Sequence, residues 1–99
     1  MRTVYKFSIH SSELVQLPVD AVILKVGVVQ SQLCIWVDLD TEAPAARPVE
    51  FRVYSTGEPI PQNECEILEY VGTAIHRPDP LLLEEVWHVY RVYRTAGGT

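Results

Sequence analysis

The stretch Leu81-Leu-Leu-Glu-Glu-Val-Trp-His-Val-Tyr-Arg-Val-Tyr93 admits two readings, and the choice between them decides the fold. Leu82, Val86, Val89 and Tyr93 fall at the spacing of a helical stripe. The same residues also alternate, with Val86, His88, Tyr90 and Val92 on one side and Trp87, Val89, Arg91 and Tyr93 on the other. β-Branched and aromatic side chains dominate both sets. Such side chains lose rotamer freedom against a helical turn but pack well on a pleated surface. Glu85 to Arg94 is therefore read as a long aromatic strand.

Working outward, the rest of the chain repeats this logic. Val4 to Ile9 alternates, with Tyr5, Phe7 and Ile9 on one face. Leu14 to Leu17 is short and is closed by Pro18. Ala21 to Val29 is rich in β-branched residues and reads as a strand buried on both faces. Gln30-Ser31-Gln32 is a polar break of hairpin size. Leu33 to Leu39 returns, with Leu33, Ile35, Val37 and Leu39 on one side and Cys34, Trp36 and Asp38 on the other. Thr41 to Pro48 reads as a surface loop.

Val49 to Ser55 is the next strand, with Phe51 and Val53 inward and Glu50, Arg52 and Tyr54 outward. Gly57 suits a positive φ, and Pro59 and Pro61 keep the chain out of a ladder. Glu66 to His76 forms a further strand, bulged at Gly72. Arg77-Pro-Asp-Pro80 is a turn. About seven strands at spacings near ten residues predict an all-β fold. The expected architecture is a single small antiparallel β-sandwich or partly open barrel over residues 1–95, with 96–99 as a flexible tail.

Composition narrows the function classes. The chain has 99 residues, 47% hydrophobic and 21% charged, which fits one soluble globular core. A net charge of −5 and pI near 5.0 argue against a nucleic-acid polymer or an anionic membrane as partner. No apolar run is long enough for a spanning helix. The first residues lack the basic and apolar regions of a secretion signal. Cys34 and Cys65 are expected to be free thiols.

Motifs for chemistry are sparse. His10, His76 and His88 lack ligand spacing, and no CxxC pair exists, so no metal and no cofactor are expected. No serine sits in a nucleophile elbow, and no glycine-rich phosphate loop is present. Asp38 and Asp40 share a strand face and are the one carboxylate pair that would suit a small hydrolase. Such a pair at a strand end more often caps a turn. A non-catalytic protein is expected.

The aromatic content exceeds what so small a core needs, which points to contact surfaces. Trp36, Arg52, Tyr54, Thr56, Gly57 and Tyr70 form the candidate ligand- or partner-binding set, with Arg52 and the Thr56-Gly57 loop as phosphate contacts. Trp87, Val89, Arg91 and Tyr93 form a candidate homo-oligomer interface, since a sandwich covers one face of its last strand.

The order of motifs resembles a group of short uncharacterised bacteriophage and prophage proteins that share a domain of unknown function. The resembling pieces are Tyr5-Lys6-Phe7, Leu17-Pro18, Ala21-x-Ile23-Leu24-x-Val26, Cys34-x-Trp36, Arg52-Val-Tyr-x-Thr-Gly-x-Pro-Ile60, Tyr70-x-Gly-Thr73 and His88-Val-Tyr90. The chain departs from that pattern by extending from Arg91 to Thr99 and by Arg77-Pro-Asp-Pro80 before the last strand. The resemblance implies a phage-encoded accessory protein of the bacterial cytoplasm, with no activity to transfer. The expectation built on it is a binder that counters host antiviral defence, by sequestering a small nucleotide or by blocking a defence protein. The alternative is a structural or assembly protein with protein contacts only.

Overall fold

A computed structural model describes residues 1–43, 46–81 and 83–95. Its seven strands are β1 (Arg2–Ser8), β2 (Ser12–Pro18), β3 (Val22–Val29), β4 (Gln32–Asp40), β5 (Ala46–Ser55), β6 (Glu66–His76) and β7 (Glu85–Arg94). Among the described residues there is no helix. The strands form two antiparallel sheets packed face to face, in the orders β1-β4-β3 and β2-β5-β7-β6. This is the sandwich and not a closed barrel. Glu85 to Arg94 adopts the strand that its alternation predicts.

The core is what the inward positions supply. Ile35 and Val37 of β4, Phe51 of β5 and Val89 of β7 are fully buried between the sheets. The sheets approach most closely where β3 passes β6. There the register slips between Tyr70 and Gly72, the predicted bulge. A Cβ on Gly72 would lie 2.7 Å from Val26 Cγ2, so a glycine at this bulge lets the two strands touch.

Three features depart from expectation, each for a tertiary reason. Ala21 to Val29 was expected to be buried on both faces, but β3 is an edge strand with Val22 52% and Leu24 54% exposed. A β-branched run favours a strand without saying where in a sheet it lies, and β4 takes the centre instead. The expected Thr41–Pro48 loop is shorter, because β5 begins at Ala46. Pro48 is tolerated there because β7 pairs with β5 only from Glu50 onward, so no ladder bond is lost on that side. The turn between β3 and β4 is a two-residue hairpin in which Gln30 and Ser31 both take positive φ, 50° and 65°.

The third departure places the candidate site. β5 and β6 both run antiparallel to β7, which lies between them. They are therefore parallel to each other, and Thr56 to Cys65 must carry the chain back along the length of β7. Ten residues at roughly 3.3 Å each can do so only when extended, and Pro59 and Pro61 stiffen that path. Ile60 to Glu64 share a groove with Glu66 and Leu68, placing the crossover against the outer face of the four-stranded sheet. Tyr54 and Val92 point outward in register yet are only 6% exposed. Outward thus does not mean exposed on this face.

Candidate functional site

Alternation along β5 puts Phe51 in the core and Arg52 on the outer face, with Glu50 two residues before it on the same side. The Arg52 guanidinium meets Glu66 of β6 with two parallel bonds of 2.9 Å and donates to Glu50 at 3.0 Å. It also donates to the Tyr54 hydroxyl at 3.5 Å. Arg94 closes the cluster, donating to both Glu50 oxygens at 3.0 and 3.1 Å and pairing with Glu66. Because Arg52 and Glu66 stand on either side of β7, their bridge crosses that strand and covers Val92. The fork–carboxylate hydrogen bonds hold Glu66 below the ordinary glutamate range and raise Arg52 above its ordinary value. Two acids face two bases, so the cluster is close to neutral.

Toward the other end of β7, His88 joins three elements. Its Nε2 lies 2.8 Å from Thr56 Oγ1 and its Nδ1 lies 2.9 Å from Thr73 Oγ1. Thr73 Oγ1 in turn meets the Tyr70 hydroxyl. Thr56 is delivered by the turn after β5, in which Gly57 has φ 88° and the Glu58 carboxylate accepts from the Ser55 amide at 2.9 Å. A hydroxyl beside an imidazole is half of a nucleophile–base arrangement. A catalytic version would orient the ring with a carboxylate, whereas here both nitrogens meet hydroxyls. The arrangement ties the turn, β7 and β6 together.

Three tyrosines complete the face. Tyr54, Tyr90 and Tyr70 stand on β5, β7 and β6 in edge-to-face contact, with centroids 5.9 and 5.7 Å apart. Of the candidate set, Arg52, Tyr54, Thr56, Gly57 and Tyr70 therefore come together on one surface. The residues that organise it with them are Glu50, Glu66, Thr73, His88, Tyr90 and Arg94. Strand parity carried part of the signal, since His88 and Tyr90 share a face of β7. Their pairing with Tyr54 and Arg52 depends on which strands are neighbours.

Trp36 does not join this group. It lies on the outer face of the three-stranded sheet, over Gly27 and 5.8 Å from Lys25 Nζ, with the core between it and Arg52. A cavity shared by Trp36, Arg52 and Thr56 is not formed within one chain. The candidate interface set is also placed inward. Val89 is fully buried in its own core and Trp87 packs against it, stacked on His76 at 5.3 Å. Arg91 and Tyr93 continue that inner face to the end of β7, where Tyr93 is 38% exposed. The strand's outward face is instead Val86, His88, Tyr90 and Val92.

The remaining candidates are apart from the tyrosine face. Asp38 pairs with Arg2 at 2.9 Å, and Asp40 accepts from the Met1 amino group and the Glu42 amide, which lower its pKa. An acid–base pair would need one carboxyl raised. Both cysteines are free, Cys34 buried and Cys65 exposed. Among the described residues, no three His, Cys, Asp or Glu side chains converge as a metal site, and no helix is long and apolar enough to cross a membrane.

The comparisons with known proteins give a family and no activity. The family profile described as Domain of unknown function (DUF7352) matches residues 1–98, and the chain belongs to that family. The match runs through Arg91 to residue 98, so that segment lies inside the DUF7352 domain. No curated protein matches the chain. No solved structure matches it either.

Proposed function

We propose that this DUF7352 chain is a non-catalytic binding protein whose working surface is the outer face of the four-stranded sheet, and that this surface takes a protein partner. The observation that carries the reading is the pairing of exposed apolar area with a prearranged polar frame. Leu14, Tyr70 and Ile75 are 66%, 56% and 56% exposed on that face. Tyr70 is already fixed by Thr73 and Tyr90. Rigid tyrosines flanked by apolar side chains lose little freedom on contact and dominate protein interfaces. Arg52 is committed to Glu50 and Glu66, so a phosphate there would have to displace two carboxylates. That favours blocking a protein over sequestering a nucleotide at Arg52.

A bacteriophage source, a place in the bacterial cytoplasm and a role against host defence rest on the motif resemblance alone. On that reading the partner is a host defence protein. The same surface also serves an assembly protein or a second copy of this chain, and the experiment separates these by what is captured. A photoreactive residue at position 75 should cross-link one protein stoichiometrically in cells, and Tyr70→Ser should abolish the product. The same residue at position 24, exposed on the opposite sheet, should not capture it. Equal capture from both positions, or capture from 24 alone, would refute the proposal.

A further inference from the structure

At the end of the four-stranded sheet where β5 starts and β7 finishes, a groove of about 330 Å³ opens between Arg47, Pro48, Glu50, Arg91, Tyr93 and Arg94. Three of the chain's eight basic residues thus line one opening in a protein of net charge −5. Glu50 is already met by Arg52 and Arg94. Among the described residues, no carboxylate lies within ion-pair distance of Arg47 or Arg91. The Arg91 guanidinium rests 4.7 Å over the Tyr93 ring, and the Tyr93 hydroxyl donates to Glu69 at 3.4 Å.

We propose that this groove binds a nucleoside phosphate, with Arg47 and Arg91 holding the phosphate and the base stacked on the exposed face of Tyr93. Guanidinium forks match phosphate oxygens in pairs, and a ring that seats Arg91 lowers the entropy lost on binding. A planar partner is favoured because a tyrosine face stacks any base. The volume sits at the small end of ligand pockets, about 300–1,000 Å³, which suits one nucleotide and not a polymer. Two carboxylates oppose a phosphate there, Glu50 in the lining, already met by Arg52 and Arg94, and Glu69, opposite Arg91 in the β6–β7 ladder. Glu69 fixes the ring at a cost in phosphate affinity. The groove shares Leu14, Glu50 and Arg94 with the docking face, but the ligand contacts assigned to it are Arg47, Arg91 and Tyr93, and the cross-linking positions of that face, Tyr70 and Ile75, do not line it.

The test is titration of the full chain with ADP and, separately, with inorganic pyrophosphate, read by amide NMR and calorimetry. ADP should shift the signals of residues 47 to 50 and 91 to 94 saturably. Arg47→Gln and Arg91→Gln should each weaken ADP binding about tenfold, as expected for a charged hydrogen-bonding group. Tyr93→Leu should weaken ADP about fivefold and pyrophosphate by less, since only ADP loses the stacked base. Glu69→Gln should tighten both ligands. No saturable shift at millimolar ADP would overturn the proposal, as would affinity indifferent to Arg47 and Arg91. A polyglutamate peptide binding more tightly than ADP would overturn the nucleotide assignment.

Discussion

The two outer faces of this sandwich start from the same sequence pattern and end differently. On the three-stranded sheet, outward Cys34 of β4 is buried beside Ser8 and Gln32, while Trp36 and Asp38 stay half-buried. Trp36 lies flat over Gly27, and Asp38 pairs with an Arg2 that is 47% exposed. On the four-stranded sheet, Tyr54 is closed in by Tyr90 and Arg52, and Val92 lies under the bridges from Arg52 to Glu50 and Glu66. Their carboxylate side chains, Glu50 and Glu66, are only 15% and 8% exposed. Connectivity makes the difference. A strand inserted between β5 and β6 forces a long crossover, and it lets side chains of three strands close together over that strand.

The largest expected effect tests the contact that holds the faces back to back. Gly72→Val should cost about 3 kcal/mol, because overpacking at a close approach shifts both backbones. Val26→Ala in the same chain should recover much of that loss in urea unfolding. A neutral Gly72→Val would mean that the sheets do not touch there.

Next comes a matched pair of arginines. Arg52→Ala should destabilise by about 2 kcal/mol, since it leaves the poorly solvated Glu66 carboxylate without its two-bond donor and removes one of the donors to Glu50. Arg2→Ala on the other face should cost under about 0.5 kcal/mol, as solvated ion pairs do. Equal losses would erase the distinction between the faces. The pH dependence sharpens it. Glu66 has a lowered pKa in the folded chain, so its stabilisation is present above the ordinary value of 4.5 and lost as pH falls through the folded value. The deficit of Arg52→Ala should therefore be constant from neutral pH to about 5 and should narrow below that.

A smaller effect runs the other way. Gln30→Asn with Ser31→Gly, in the hairpin of the three-stranded sheet, should stabilise by about 1 kcal/mol because both positions need positive φ. Gly57→Ala, on the four-stranded side, should cost about 1 kcal/mol for the same reason. A Cβ there meets nothing within 4 Å, so no clash contributes.

Local alternation made the strands legible, including the aromatic last strand and the bulge at Gly72. The outward side of Arg52 was legible too. Burial of Tyr54 was not, because it depends on Tyr90, which reaches it only through β7 pairing between β5 and β6. That order joins residues some thirty positions apart, and no periodicity encodes it. The same blindness grouped Trp36 with Arg52, which belong to different sheets. It also turned Val89 toward a partner, when the opposite sheet of its own chain already covers it.

Native-state hydrogen exchange at low denaturant compares the faces most directly. β4 and β7 are each flanked by two ladder neighbours, so the ladder alone gives them equal protection. The Arg52–Glu66 bridge and the tyrosine cluster over β7 predict that the amides of Val89, Tyr90 and Val92 exchange at least tenfold more slowly than those of Ile35, Trp36 and Val37. Protection in β4 equal to or above that in β7 would contradict it.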